Sequence, residues 1–173
     1  MAKTDIKFSQ IKKKAKEINE TEVFEFETGE TLTFYPVFPP QMIEKMLEEM
    51  ASMMKSKPDE LELNENMTHK YVLFMCIKHF THLKNQLKAS TLIGQLNEIE
   101  SLVDSGYFEK IIEEVFLPKE IQKVFDQLTK FSSNYLFLEK MNQKMIDEVA
   151  NLELKNKELL AGINVKAENK VVQ

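Results

Sequence analysis

Ten consecutive residues, YVLFMCIKHF at 71–80, restrict what this chain can fold into more than any other stretch. Set on a helix, Tyr71, Val72, Phe74, Met75, Ile77, Phe80 and Leu83 spread around most of the circumference, which leaves no broad polar face for water. Such a helix must lie at the centre of a domain with other elements packed around it. The spacing predicts it over 68–87, with Thr68 as the N-cap. Lys70 and Lys78 bound its uncharged part, YVLFMCI at 71–77, which is far short of the ~20 apolar residues that cross a bilayer, so it reads as core.

The rest of the chain supplies the wrapping. Met42, Met46, Met50 and Met54 recur at every fourth position, with Ile43, Leu47 and Met53 beside them, and predict a helix ending near Ser56. Leu92, Ile93, Leu96, Ile99 and Leu102 predict another from Ser90 or Thr91 to Val103, closed by the DSG at 104–106. The segment YFEKIIEEVF, 107–116, reads as a short helix stopped at Leu117-Pro118; Pro118 then opens one that turns Ile121, Val124, Phe125 and Leu128 inward. Near the start, Ile6, Phe8, Ile11, Ala15 and Ile18 share a spacing close to helical, which predicts an amphipathic helix over 9–20, docked loosely with its lysines in water.

The last helix is expected over 133–161, stopped by Gly162, with a flexible tail at 162–173. Its apolar positions follow a three-four spacing. If this helix self-associates as a homo-oligomer, Val149, Leu152, Asn156 and Leu159 form the contact, and the polar Asn156 selects the register. Packing of the helix on its own domain is the first reading.

One stretch departs from the helical period. In EVFEFETGETLTFY, 22–35, apolar residues alternate, so Phe24 and Phe26 share one strand face and Leu32 and Phe34 share another. A two-residue turn at Thr28-Gly29 would oppose Phe26 to Thr31 and mismatch the faces. A three-residue loop, Glu27-Thr28-Gly29 with Gly29 in the left-handed region, pairs Phe24 with Leu32 and keeps a single apolar side. Pro36, Pro39 and Pro40 then end the strand, and Pro40 suits the first turn of the next helix, where a missing N–H costs little. The expected fold is α+β and predominantly α-helical: a small N-terminal β-hairpin packed on an irregular helical bundle, with a long C-terminal helix. Hairpin and bundle occupy 1–132, and the C-terminal helix belongs to the same domain.

Several chemistries find no support in the residues. All 23 basic residues are lysines and the net charge is −5, so the bidentate forks that read bases or clamp phosphates are missing and no nucleic-acid partner is expected. The single cysteine, Cys76, reads as a buried small hydrophobe in a reducing cytoplasm. No apolar block follows the lysines of MAKTDIKFSQIKKKAKE, so neither signal peptide nor membrane anchor is expected. Cys76, His79 and His82 are three apart, but on a helix positions six apart diverge by about 120° and rise about 9 Å, which rules against one shared metal ion. Glu48-Glu49 and Glu113-Glu114 point to different azimuths and read as solvated faces. With 4 glycines and no phosphate-loop or hydrolase motif, no catalytic residue, metal or cofactor is expected.

The run FETGETLTFYPVFPPQMIEKMLEEM, followed by KYVLFMCIKHF and GYFEKIIEEVFLPKEIQKVF, resembles the tail assembly chaperones of long-tailed bacteriophages and prophages over about two thirds of the chain. The resemblance implies a small, mostly helical, non-catalytic protein of the bacterial host cytoplasm. It also implies two partners: the tape measure protein, which such chaperones bind and keep soluble, and the major tail protein, which they help recruit. A methionine stripe reads first as core. Left open as a groove, Met42, Met46, Met50, Met53 and Met54, with Phe34, Tyr35 and Phe38 beside them, would be the client-binding surface, because methionine adapts to varied apolar partners.

Overall fold

A computed structural model of the chain describes residues 5–59 and 61–134. It is predominantly helical with one small β-sheet, as the spacing predicts. The elements are α1 (Phe8–Glu17), β1 (Glu22–Glu25), β2 (Thr31–Phe34), α2 (Pro40–Lys55), α3 (Glu65–Phe80), α4 (Leu92–Asp104) and α5 (Tyr107–Lys110). A 3₁₀ turn follows α3 at His82–Asn85, a π-helical turn follows α5 at Ile111–Val115, and a further helix, α6, begins at 118. The chain divides into two units, Met1–Leu128 and Thr129–Gln173. In the second, residues 129–134 are helical; the helix and tail expected beyond 134, with Val149, Leu152, Asn156 and Leu159, lie outside the described residues.

The hairpin has the expected register. Phe24 pairs with Leu32 and Glu22 with Phe34 in an antiparallel ladder. The Phe26 N–H donates to the Glu30 carbonyl at 2.9 Å and the Gly29 N–H to the Phe26 carbonyl at 2.8 Å, which leaves Glu27, Thr28 and Gly29 as the loop. Gly29 has φ +85°. A Cβ there would meet nothing within 4 Å, so the requirement is conformational rather than steric. Gly29→Ala is therefore expected to lower stability by about 1 kcal/mol, the usual penalty for a left-handed residue with a Cβ. A urea midpoint unchanged from wild type would sink this account of the loop.

One face of the hairpin is buried through Phe26, Leu32 and Phe34, while Val23 on the other is 66 % exposed. Phe26 meets Tyr107 edge-on, with ring centroids 5.2 Å apart. The Tyr107 hydroxyl in turn donates to the Glu30 carboxylate. Two strands alone are marginal in water, and here the helical layer covers them.

Helix α3 forms the centre: every residue from Tyr71 to Phe80 is buried. Its ends differ from the sequence expectation at both sides. The N-cap is Asn64, whose side chain accepts from the Met67 N–H at 2.8 Å, and not Thr68, which lies a turn inside with its hydroxyl on the Asn64 carbonyl. At the other end the helix stops at Phe80 instead of continuing to 87, because Thr81 is extended at φ −131°, ψ 168°. Thr81 bridges to Phe34, the Phe80 carbonyl accepts from the Tyr35 N–H at 2.9 Å, and His82 Nδ1 accepts from the Thr33 N–H at 3.1 Å. The free edge of β2 thus draws the chain out of helix, since unpaired strand donors need acceptors when covered.

Helix α2 packs on α3 through Ile43, Met46, Leu47 and Met50. Pro39 is its N-cap and Pro40 its first residue, as expected. Thr91 caps α4 by accepting from the Gly94 N–H at 3.1 Å. After Gly106, with φ +75°, the chain enters α5 and then the π turn, in which the Phe116 N–H reaches the Ile111 carbonyl at 3.1 Å. The wider turn lets Ile111, Val115 and Phe116 all face the core, where a plain α-helix was expected. Helix α1 is the other departure: it forms over 8–17, close to the expected span, but buries no residue, so the apolar side expected to dock is left exposed.

Candidate functional site

Sequence reasoning singled out Phe34, Tyr35, Phe38, Met42, Met46, Met50, Met53 and Met54. The structure brings them together around the entry and inner face of α2, at two levels. Phe34, Phe38, Met46 and Met50 are buried, with Phe38 and Met46 fully so, and form core rather than the floor of an open groove. Tyr35, Met42, Met53 and Met54 are half-buried and border them. The reason is local geometry. Phe38 stacks on Phe80 with centroids 3.8 Å apart and planes 8° off parallel, and meets Phe116 edge-on at 5.0 Å. Its N–H donates to the carboxylate of Glu120, a buried first-turn residue of α6 that also pairs with Lys123 at 2.5 Å.

Beside this face lies a polar cluster that sequence reasoning missed. Glu49 is half-buried rather than solvated, unlike its exposed neighbour Glu48. Its carboxylate accepts from Lys78 Nζ at 2.6 Å and from His79 Nε2 at 2.8 Å. Gln95 Nε2 approaches the same carboxylate at 3.3 Å, while Gln95 Oε1 accepts from the Tyr71 hydroxyl at 2.5 Å. Helices α2, α3 and α4 are tied together through one carboxylate. A signal existed in the sequence: Lys78 and His79 interrupt an otherwise apolar central helix, and buried charge requires a partner.

The electrostatics follow from burial and pairing. Burial opposes the charged form of Glu49, but the hydrogen bond and charge of Lys78, with those of His79, outweigh it and hold the carboxyl below its usual range. Burial lowers the pKa of His79, and Lys84 adds to this; the Glu49 charge pulls the other way without prevailing. Geometry agrees, because His79 Nδ1 is buried with no hydrogen-bond partner and a second ring proton would have no acceptor. The neutral ring with its proton on Nε2 therefore suits the site. Burial and the charge of Glu49 both raise the Tyr71 pKa, and burial alone pushes the Cys76 thiol up to about 12.

A pH dependence follows with a definite sign. A depressed His79 pKa means that the unfolded chain binds protons first, so stability falls as pH drops below the ordinary histidine value of about 6.5. The depressed Glu49 acts further down, its contribution being lost as pH falls below the ordinary carboxyl value of about 4.3 and through its folded pKa. Urea midpoints measured from pH 7 to 5 should decline, and His79→Gln should flatten that decline while leaving the lower limb. An equally steep decline in the variant would place the proton uptake elsewhere.

The cysteine and histidines go to separate places. Cys76 is fully buried in the core, His79 bonds Glu49, and His82 Nδ1 accepts from β2. Among the described residues no group of three or more His, Cys, Asp or Glu side chains is placed to hold a metal ion. A separate open cavity of about 660 Å³ lies between α3, the π turn and α6, where His69 stacks on Phe125 at 5.1 Å. No helix among the described residues is long and apolar enough to cross a membrane.

No curated protein and no solved structure matches the chain. The family model for YomO matches residues 8–173, which takes in the hairpin, the central helix and the cluster around Glu49. The chain belongs to the YomO family, whose name is of the Bacillus prophage type.

Proposed function

We propose that this protein is a non-catalytic phage tail assembly chaperone that binds and solubilises the tape measure protein and helps recruit the major tail protein. The observation that carries this reading is the half-buried border of α2: Tyr35, Met42, Met53 and Met54 stay partly exposed, on and just before a helix that buries Met46 and Met50. A holdase needs apolar contacts that adapt to a long client and a surface that stays in solution; methionine supplies the first and a net charge of −5 the second. A prophage-type family name supports the biological setting. The client contact moves to the border residues, with the buried ones acting as the support beneath them. The reading implies work in the host cytoplasm.

Co-expression with the tape measure protein of the same genome tests it. The client should become soluble and co-purify, and the pair of changes Met53→Glu and Met54→Glu should abolish capture while circular dichroism stays that of the wild type. An insoluble client with nothing co-purifying would end this reading.

A further inference from the structure

Two uncovered apolar surfaces in this chain have opposite charge. The first is α1. Phe8, Ile11 and Ala15 stand at i, i+3 and i+7, the spacing with which a helix anchors in a groove. Phe8 is 67 % exposed, Ile11 43 % and the preceding Ile6 72 %. Between positions 7 and 17 there are five lysines against one glutamate, in a chain that is acidic as a whole. Lys12 lies over the Phe8 ring, 5.1 Å from its centroid, and Lys13 pairs loosely with Glu17 at 3.8 Å. These contacts stay within the helix and leave its apolar side open.

The second surface is an open groove of about 450 Å³ between the start of α3 and the outer face of α4. Leu61, Met67, Ile93, Leu96, Ile99 and Val103 make its apolar lining, and Ile93 is 52 % exposed. Glu100 and Asp104 form an acidic border along α4. Glu62 and Glu65, both exposed, are close in sequence to Leu61 and Met67, and Lys70 is the one basic residue among the lining residues.

We infer that the groove on α4 receives α1 of a second copy of this chain, in a reciprocal exchange that makes a two-fold dimer. Each helix would insert Phe8, Ile11 and Ala15 between the apolar walls and lay its lysines against Glu100 and Asp104. A two-fold arrangement repeats the contact, so a ten-residue helix contributes twice to the roughly 1,200 Å² or more that a stable interface buries. The charges set orientation and speed encounter, and the apolar anchors carry the affinity. This inference is independent of the client reading, since it uses neither the border of α2 nor any tail protein.

Sedimentation of the full chain over a wide concentration series tests it, alone and with Phe8→Asp or Ile93→Asp. The wild type should dimerise, and each variant should weaken the dimer by more than about tenfold in Kd, a change of ~1.4 kcal/mol. High salt should weaken the wild-type dimer as well. Mixing the two variants decides the geometry. One intact helix and one intact groove remain between them, so the mixture should form a heterodimer that neither variant forms alone. Both positions are exposed, so circular dichroism should be unchanged. A wild type that stays monomeric overturns the inference, as does a dimer indifferent to both substitutions. Binding to phosphatidylserine vesicles that Phe8→Asp abolishes, in a chain that does not dimerise, would assign α1 to a lipid surface and equally overturn it.

Discussion

Replacing Phe38 with alanine is expected to lower the free energy of unfolding by about 4 kcal/mol, within the range for removing a fully buried phenylalanine. Phe38 is fully buried, stacked at 3.8 Å on the last residue of the central helix and edge-on to Phe116. Both lost transfer energy and a cavity contribute, because the surrounding rings belong to different elements and cannot collapse together. The backbone adds to the rigidity, since the Phe38 N–H is held by Glu120 of α6 at 2.8 Å. Urea denaturation should show a lower midpoint with an unchanged slope, the mark of a stability change within a two-state transition. A loss below about 1 kcal/mol would mean that the aromatic stack is not the junction described here.

Glu49→Ala should cost about 3 kcal/mol, the low end of the range for breaking a buried pair by removing one partner. The low end applies because the Glu49 side chain is 27 % exposed, whereas those of Lys78 and His79 are only 9 % and 3 % exposed. The loss leaves an ammonium nearly buried with no counter-charge, and that penalty dominates over the attraction forgone. Two controls isolate the cause. Glu48→Ala, one residue away on the exposed face, should change stability by no more than about 0.5 kcal/mol. Adding Lys78→Leu to Glu49→Ala should recover part of the loss, since an apolar residue of similar length needs no partner. If the double variant were less stable than Glu49→Ala by the full cost of a second cavity, the charge argument would fail.

The hairpin was legible residue by residue. Its register follows from one apolar face and one glycine, both properties of the strand pair itself, and Phe24 does oppose Leu32 with Gly29 at φ +85°. The proline junction into α2 was equally readable, and the start of α4 was narrowed to Ser90 or Thr91, of which Thr91 is the cap, because each depends on backbone chemistry within three or four residues. Glu49 was not readable as anything but a surface acid. Its partners stand 29, 30 and 46 positions away, and nothing in the neighbouring residues of α2 marks the face on which they arrive.

From the sequence alone came the predominantly helical class, the hairpin and its register, and the need to bury residues 71–80 on all sides. These depend on periodicity and turn chemistry, which act over a few residues. Tertiary structure decided where α3 ends, because the N–H donors that draw the chain out of helix at Thr81 are those of Thr33 and Tyr35, on and just after a strand nearly 50 residues earlier. It also decided which methionines of α2 face the core, that 111–115 widens into a π turn, and that α1 leaves its apolar side uncovered. Each of these outcomes turns on which surfaces meet across the fold, and apolar burial is non-directional: an amphipathic pattern states that a face must be covered, and only the assembled neighbours determine by what.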